Sequence, residues 1–111
     1  MANVDTVDAA ALAEDAIRAI ADRTLPNARL VLFGSRARGD ARPRSDFDLA
    51  VFPQAGFIDH DLVRFTDALE RSSKIIYPLD IVDTRAASKA MIKKIESEGR
   101  IWKKSHSIYM R

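Results

Sequence analysis

The chain has 111 residues, of which 47% are hydrophobic and 31% charged, with a formal net charge of +2. That length suits one domain with a single sheet and its helices, and leaves no room for a second substrate-binding domain. With no cysteine there are no disulfides or thiolate metal sites, and no apolar run is long enough to cross a bilayer.

The acidic, amphipathic start is unlike a signal peptide, so a cytoplasmic location is the default expectation. Residues 6–24 are predicted as a helix capped by Asp5 or Thr6, with Ala10, Ala13, Ile17, Ile20 and Ala21 on one stripe. Residues 29–33 form a short apolar run between turn residues, which reads as a buried strand. Gly34 and Ser35 end it. Residues 35–39 make a short helical turn, and residues 40–45 a loop held by Pro43.

A second strand covers 47–52, with Asp46 and Asp48 at its beginning. Asp59 is the expected cap of a helix running to about residue 73, with Leu62, Phe65, Thr66 and Leu69 at helical spacing. Residues 77–82 read as a third strand, and Pro78 near its start suggests an edge or an entry point. A last helix is expected over 84–99, capped by Thr84 or Ser88, with Ala87, Ala90, Met91 and Ile95 inward and Gly99 as its stop. Residues 100–111 show no period and read as a flexible tail. Lys93, Lys94, Arg100, Lys103, Lys104 and Arg111 make this end basic, most simply as a solvated face. Phe57, Trp102, Tyr109 and Met110 are either core or partner surface, while His60 and His106 read as surface positions. The fold class is α+β (α/β), a small sheet with helices packed on it, in one domain over 1–111.

Three acids carry the chemistry. On a strand, residues two apart share a side, so Asp46 and Asp48 project together while Phe47 and Leu49 face the other way. Close carboxylates repel and need a cation or a proton. Asp80, set between Leu79 and Ile81, needs a partner for the same reason. An oxygen-only donor set favours magnesium, manganese or calcium, and three acids on two strands could share a pair of ions against a triphosphate. Gly34 permits close approach of a phosphate to the backbone where a short helix opens, Ser35 adds a hydroxyl, and Arg36 or Arg38 could neutralise phosphate oxygens. No Gly-Lys-Ser/Thr follows at the spacing of a Walker A loop.

The order Phe33-Gly34-Ser35, then Ser45-Asp46-Phe47-Asp48-Leu49, then a lone Asp80 resembles the DNA polymerase β-type nucleotidyltransferase superfamily. The variant with Ala37-Arg38-Gly39-Asp40-Ala41 resembles its minimal nucleotidyltransferases, the MNT family. The match covers residues 28–83. The resemblance implies a small mixed sheet packed with helices around a polymerase β-like core. It implies that Asp46, Asp48 and Asp80 are catalytic and hold two Mg2+ ions, with Asp80 helping to deprotonate the acceptor. Gly34, Ser35, Arg36, Arg38 and Ser45 would bind the nucleotide. The implied reaction moves a nucleoside monophosphate, AMP from ATP, to a hydroxyl. MNT proteins pair with HEPN-domain toxins and act as their antitoxins, and active members modify a toxin tyrosine. The implied partner is therefore a HEPN toxin in a hetero-oligomer, with no membrane and no favoured contact with nucleic acid. A non-catalytic antitoxin that works by complex formation is the alternative. A small RNA-binding domain is a third reading, and an aromatic content of 7% gives it little support.

Overall fold

A computed structural model describes residues 2–105 of the protein, with side chains placed from residue 9 onward. The elements in order are α1 (Ala2–Thr24), β1 (Ala28–Phe33), α2 (Ser35–Arg38), β2 (Phe47–Pro53), α3 (Asp59–Arg71), β3 (Leu79–Asp83), a 3-10 turn (Thr84–Ala86), α4 (Lys89–Glu98) and β4 (Arg100–Lys103). The four strands form one sheet in the order β3-β2-β1-β4. β1 pairs antiparallel with β2 and β4, and β2 pairs parallel with β3. This is a mixed α+β sheet with helices on both faces.

β1 is central and buried on both sides, which is why it reads as an unbroken apolar run. Leu30 and Leu32 join Leu49, Val51 and Trp102 against Ile17, Ala21, Phe65 and Leu69 of α1 and α3. Val31 and Phe33 join Ala50 and Phe52 under Ile95 and Ile92 of α4. Asp48 shares the parity of Ala50 and Phe52, so it emerges on the α4 face.

Several expectations shift. α1 already begins at Ala2, so Asp5 and Thr6 lie inside the helix and do not cap it. α3 has Ile58 at its N-cap with no side-chain bond, and Asp59 instead pairs with Arg85 at 2.7 Å. α4 starts only at Lys89, where Ser88 Oγ accepts from the Met91 N–H. Thr84 sits in the preceding turn and donates its hydroxyl to the Val51 carbonyl. Ile95 faces inward as expected, but it is joined by Ile92, while Ala90 and Met91 are exposed.

The largest correction concerns residues 100–103. They are not a flexible tail but the edge strand β4, with Trp102 in the core. Lys103 is not solvated either. It is buried, and its Nζ donates to the carbonyls of Ala28 at 2.9 Å and Lys104 at 2.8 Å. Burial pushes its ammonium below the ordinary lysine range. Gly99 permits the tight turn between α4 and β4, because a Cβ there would collide with Val31 and the Ile95 carbonyl. His106, Tyr109, Met110 and Arg111 lie outside the described residues.

Candidate active site

The site grows from the parallel pairing of β2 and β3. Parallel strands in register place partner residues on one face, and Asp48 is the partner of Asp80. Asp46 precedes Asp48 by two residues and lies just before the strand begins. Asp48 is half-buried, while Asp46 and Asp80 are exposed. Burial pushes the Asp48 carboxyl above the usual range. The nearby charges of Asp80 and Asp46 push it further, Glu98 adds to them, and Arg38 opposes. The third acid, distant in sequence, therefore lies beside Asp48.

Phe33 is the antiparallel partner of Asp48, which delivers the next residue, Gly34, to the same corner. Gly34 has φ +76°, and a Cβ there would collide with the Asp48 carboxylate. Glycine is required twice over, for its backbone angle and for this close approach. Ser35 opens α2, and Ala37, buried in the core, anchors that short helix.

The arginines separate. The Arg36 guanidinium lies 4.3 Å from the Phe47 ring and 4.8 Å from that of Tyr77. Its Nε and Nη2 both donate to the Ser45 carbonyl, at 3.0 and 2.8 Å. Expected at the nucleotide, Arg36 is instead committed to the opposite face of β2, where it clamps the loop that delivers Asp46. Ser45 is used locally as well: its hydroxyl accepts from the Arg42 N–H at 2.8 Å. Arg38 stays on the acidic side. It is exposed and pairs with Glu98 at 3.1 Å and Asp40 at 3.3 Å.

Glu98 was not among the residues picked out of the sequence. It is the last residue of α4, and its Oε2 accepts from the Gly34 N–H at 3.1 Å. Burial pushes this carboxyl up, but the Gly34 N–H and Arg38 outweigh it and hold it below the usual range. A signal was present: an acid in the last turn of a helix opposes the helix dipole and invites a search for its partner.

Among the described residues no three His, Cys, Asp or Glu side chains stand at the spacing of a preformed metal centre. The fit to a divalent cation is one of charge and donor type: Asp46, Asp48 and Asp80 offer hard oxygen donors, with Asp48 the register partner of Asp80.

Residues 15–107 match the family described as polymerase beta, nucleotidyltransferase. The chain belongs to the polymerase beta nucleotidyltransferase family. No curated protein matches its sequence. Among solved structures, a candidate minimal nucleotidyltransferase is 31% identical with a TM-score of 0.60, over 78% of this chain and 86% of that one. A toxin–antitoxin crystal structure with AMP-PNP has a chain that is 23% identical with a TM-score of 0.65, over 86% of this chain and 76% of that one. A tri-AMPylated Shewanella oneidensis HEPN toxin in complex with MNT antitoxin has a chain that is 21% identical with a TM-score of 0.59, over 89% and 76%. At these last two identities the likeness is one of fold. No helix among the described residues is long and apolar enough to cross a membrane.

Proposed function

We propose that this chain is a magnesium-dependent adenylyltransferase that moves AMP from ATP to a tyrosine hydroxyl of a HEPN toxin, and so acts as that toxin's antitoxin. Membership of the nucleotidyltransferase family supports the reaction class. The similar structures, one a toxin–antitoxin complex with AMP-PNP and one with a tri-AMPylated HEPN toxin, support the nucleotide and the acceptor. The observation that carries the reading is the register partnership of Asp48 and Asp80 beside the Gly34 backbone.

Asp46, Asp48 and Asp80 would hold magnesium, and Gly34, Ser35 and Arg38 the triphosphate. When bound, the metal neutralises charge on the phosphates and the attacking oxygen. The acceptor oxygen forms a bond to the α-phosphorus, the bond from that phosphorus to the bridging oxygen breaks, and pyrophosphate leaves with the electron pair. Asp80, open to solvent, takes the hydroxyl proton. Asp48 is wedged over Gly34, so its orientation is set before substrate arrives. ATP as the co-substrate makes the cytoplasm the natural setting.

The test is co-expression with a HEPN toxin, followed by labelling with α-labelled ATP and Mg2+. Label is expected on a toxin tyrosine with the native chain. None is expected with Asp46→Asn/Asp48→Asn, which should still form the complex. Normal labelling by that variant removes the metal assignment. Neutralisation of the toxin with no label from the native chain establishes the binding antitoxin in place of the enzyme.

A further inference from the structure

Two of the donors assigned above to the triphosphate, the Gly34 N–H and Arg38, are already in use within the chain. Glu98 Oε2 accepts from the Gly34 N–H and Oε1 accepts from Arg38 Nη1, both at 3.1 Å. These contacts join segments 64 and 60 residues apart, so local geometry does not impose them. A carboxylate and a phosphate both present anionic oxygens, and both favour a backbone N–H and an arginine fork. One N–H cannot serve both at full strength.

We infer that Glu98 sets the nucleotide affinity of this site, by holding the Gly34 amide and Arg38 until a triphosphate displaces it. The inference rests on the nucleotide-binding reading above.

The position of Glu98 argues against a casual surface contact. Its side chain is only 14% exposed, although it ends a helix beside solvent-facing lysines. The last turn of α4 holds no basic residue, and the nearest on the helix is Lys94, one turn back. An anion at a helix C-terminus is disfavoured, so this one is held by what it touches outside the helix. The turn at Gly99 fixes where the helix ends, because β4 starts at the next residue and must pair with β1.

The competition is simple mass action. If the nucleotide-ready form is a minority of the molecules, the apparent dissociation constant is the intrinsic one divided by that fraction. Removing the internal competitor returns that factor.

The experiment compares the native chain with Glu98→Ala, Glu98→Gln and, as a control, Glu96→Ala. Glu96 is exposed on the same helix and reaches only Arg29, at 3.9 Å. Magnesium AMP-PNP binding is measured by calorimetry, and the Gly34 amide proton resonance is followed without nucleotide. Glu98→Ala should tighten AMP-PNP about 5–20-fold. Glu98→Gln, which keeps an acceptor but loses the charge, should gain about 2–5-fold. Glu96→Ala should stay within about twofold of native. The Gly34 resonance should move in Glu98→Ala and not in Glu96→Ala. An unmoved Gly34 resonance shows that the contact is absent and overturns the inference without reference to nucleotide. Unchanged or weaker AMP-PNP binding in Glu98→Ala, with the native chain binding, overturns it too, the weaker case making Glu98 a fourth supporting acid. If no version binds AMP-PNP, the nucleotide reading itself fails and the inference falls with it.

Discussion

The two faces of the sheet are built differently. Against α1 and α3, Ile17, Leu25, Leu30, Leu49, Val51 and Phe65 are all fully buried. Against α4 the layer is thinner, with Ile95 and Ile92 over Val31, Phe33, Ala50 and Phe52, and Asp48, on the same face as Ala50, is only half-buried. A domain this small has little apolar surface to spare. Concentrating it on one face leaves the other free to hold carboxylates at a cost in repulsion. The thick face maintains the fold, and the thin face carries the unfavourable charges.

That division can be broken by experiment. The largest effect belongs to the thin face. Asp48→Asn should lower AMP transfer about 1000-fold, equivalent to about 4 kcal/mol of transition-state stabilisation. A rate within tenfold of native, measured with the toxin as acceptor, would remove Asp48 from the chemistry. Next comes the thick face. Phe65→Ala should cost about 3–5 kcal/mol in denaturant unfolding, yet transfer per folded molecule should hold within about twofold if the faces are independent. A much larger loss of activity would show that the faces are coupled.

Arg36 sharpens the boundary, because it lies on the thick side and steers the thin one. Arg36→Lys keeps the charge but loses the pair of hydrogen bonds to the Ser45 carbonyl and the fit over Phe47 and Tyr77. It should cost about 1–2 kcal/mol of stability and lower kcat more than it raises KM. A change in KM alone would return Arg36 to the nucleotide. The smallest effect is also the most diagnostic of sign. Asp48 has its pKa raised in the folded state, so its contribution is most favourable at low pH and is lost as pH rises through the folded value. Without divalent cation, Asp48→Asn should melt at the same temperature as native in acid, and a few degrees higher near neutrality. A variant that melts lower near neutrality would mean that the carboxylate supports the fold.

Much of this was legible in the sequence, for physical reasons. β1 and β2 announce themselves because strands buried on both faces have to be apolar throughout. Gly-Ser after a strand is by itself a simple turn, and Gly34 stands out only through its order with Asp46, Asp48 and Asp80. The meeting of Asp80 with Asp48 was not legible, since it depends on strand order and on a parallel register. β4 was missed because Arg100-Ile101-Trp102-Lys103 shows no alternation, and its burial exists only once it pairs with β1, some seventy residues earlier. On α4 the Ser88 cap and the inward Ile95 were legible, but Ile92 was not, since only packing against β1 and β2 decides which neighbours of Ile95 share its face. Arg36 and Arg38 are the same residue type two positions apart. Only the neighbours supplied by the fold send one to a carbonyl and the other to Glu98.

The parallel step in an otherwise antiparallel sheet has one more consequence. Two strands that run the same way cannot be joined by a tight hairpin, so the chain between Pro53 and Leu79 makes a long return journey through α3. Alignment of the two strands belongs to the ladder, and the length of that journey does not enter it. Ser73 and Lys74, exposed near its end, are where extra residues or a fluorescent label could be spliced in while the catalytic corner stays put.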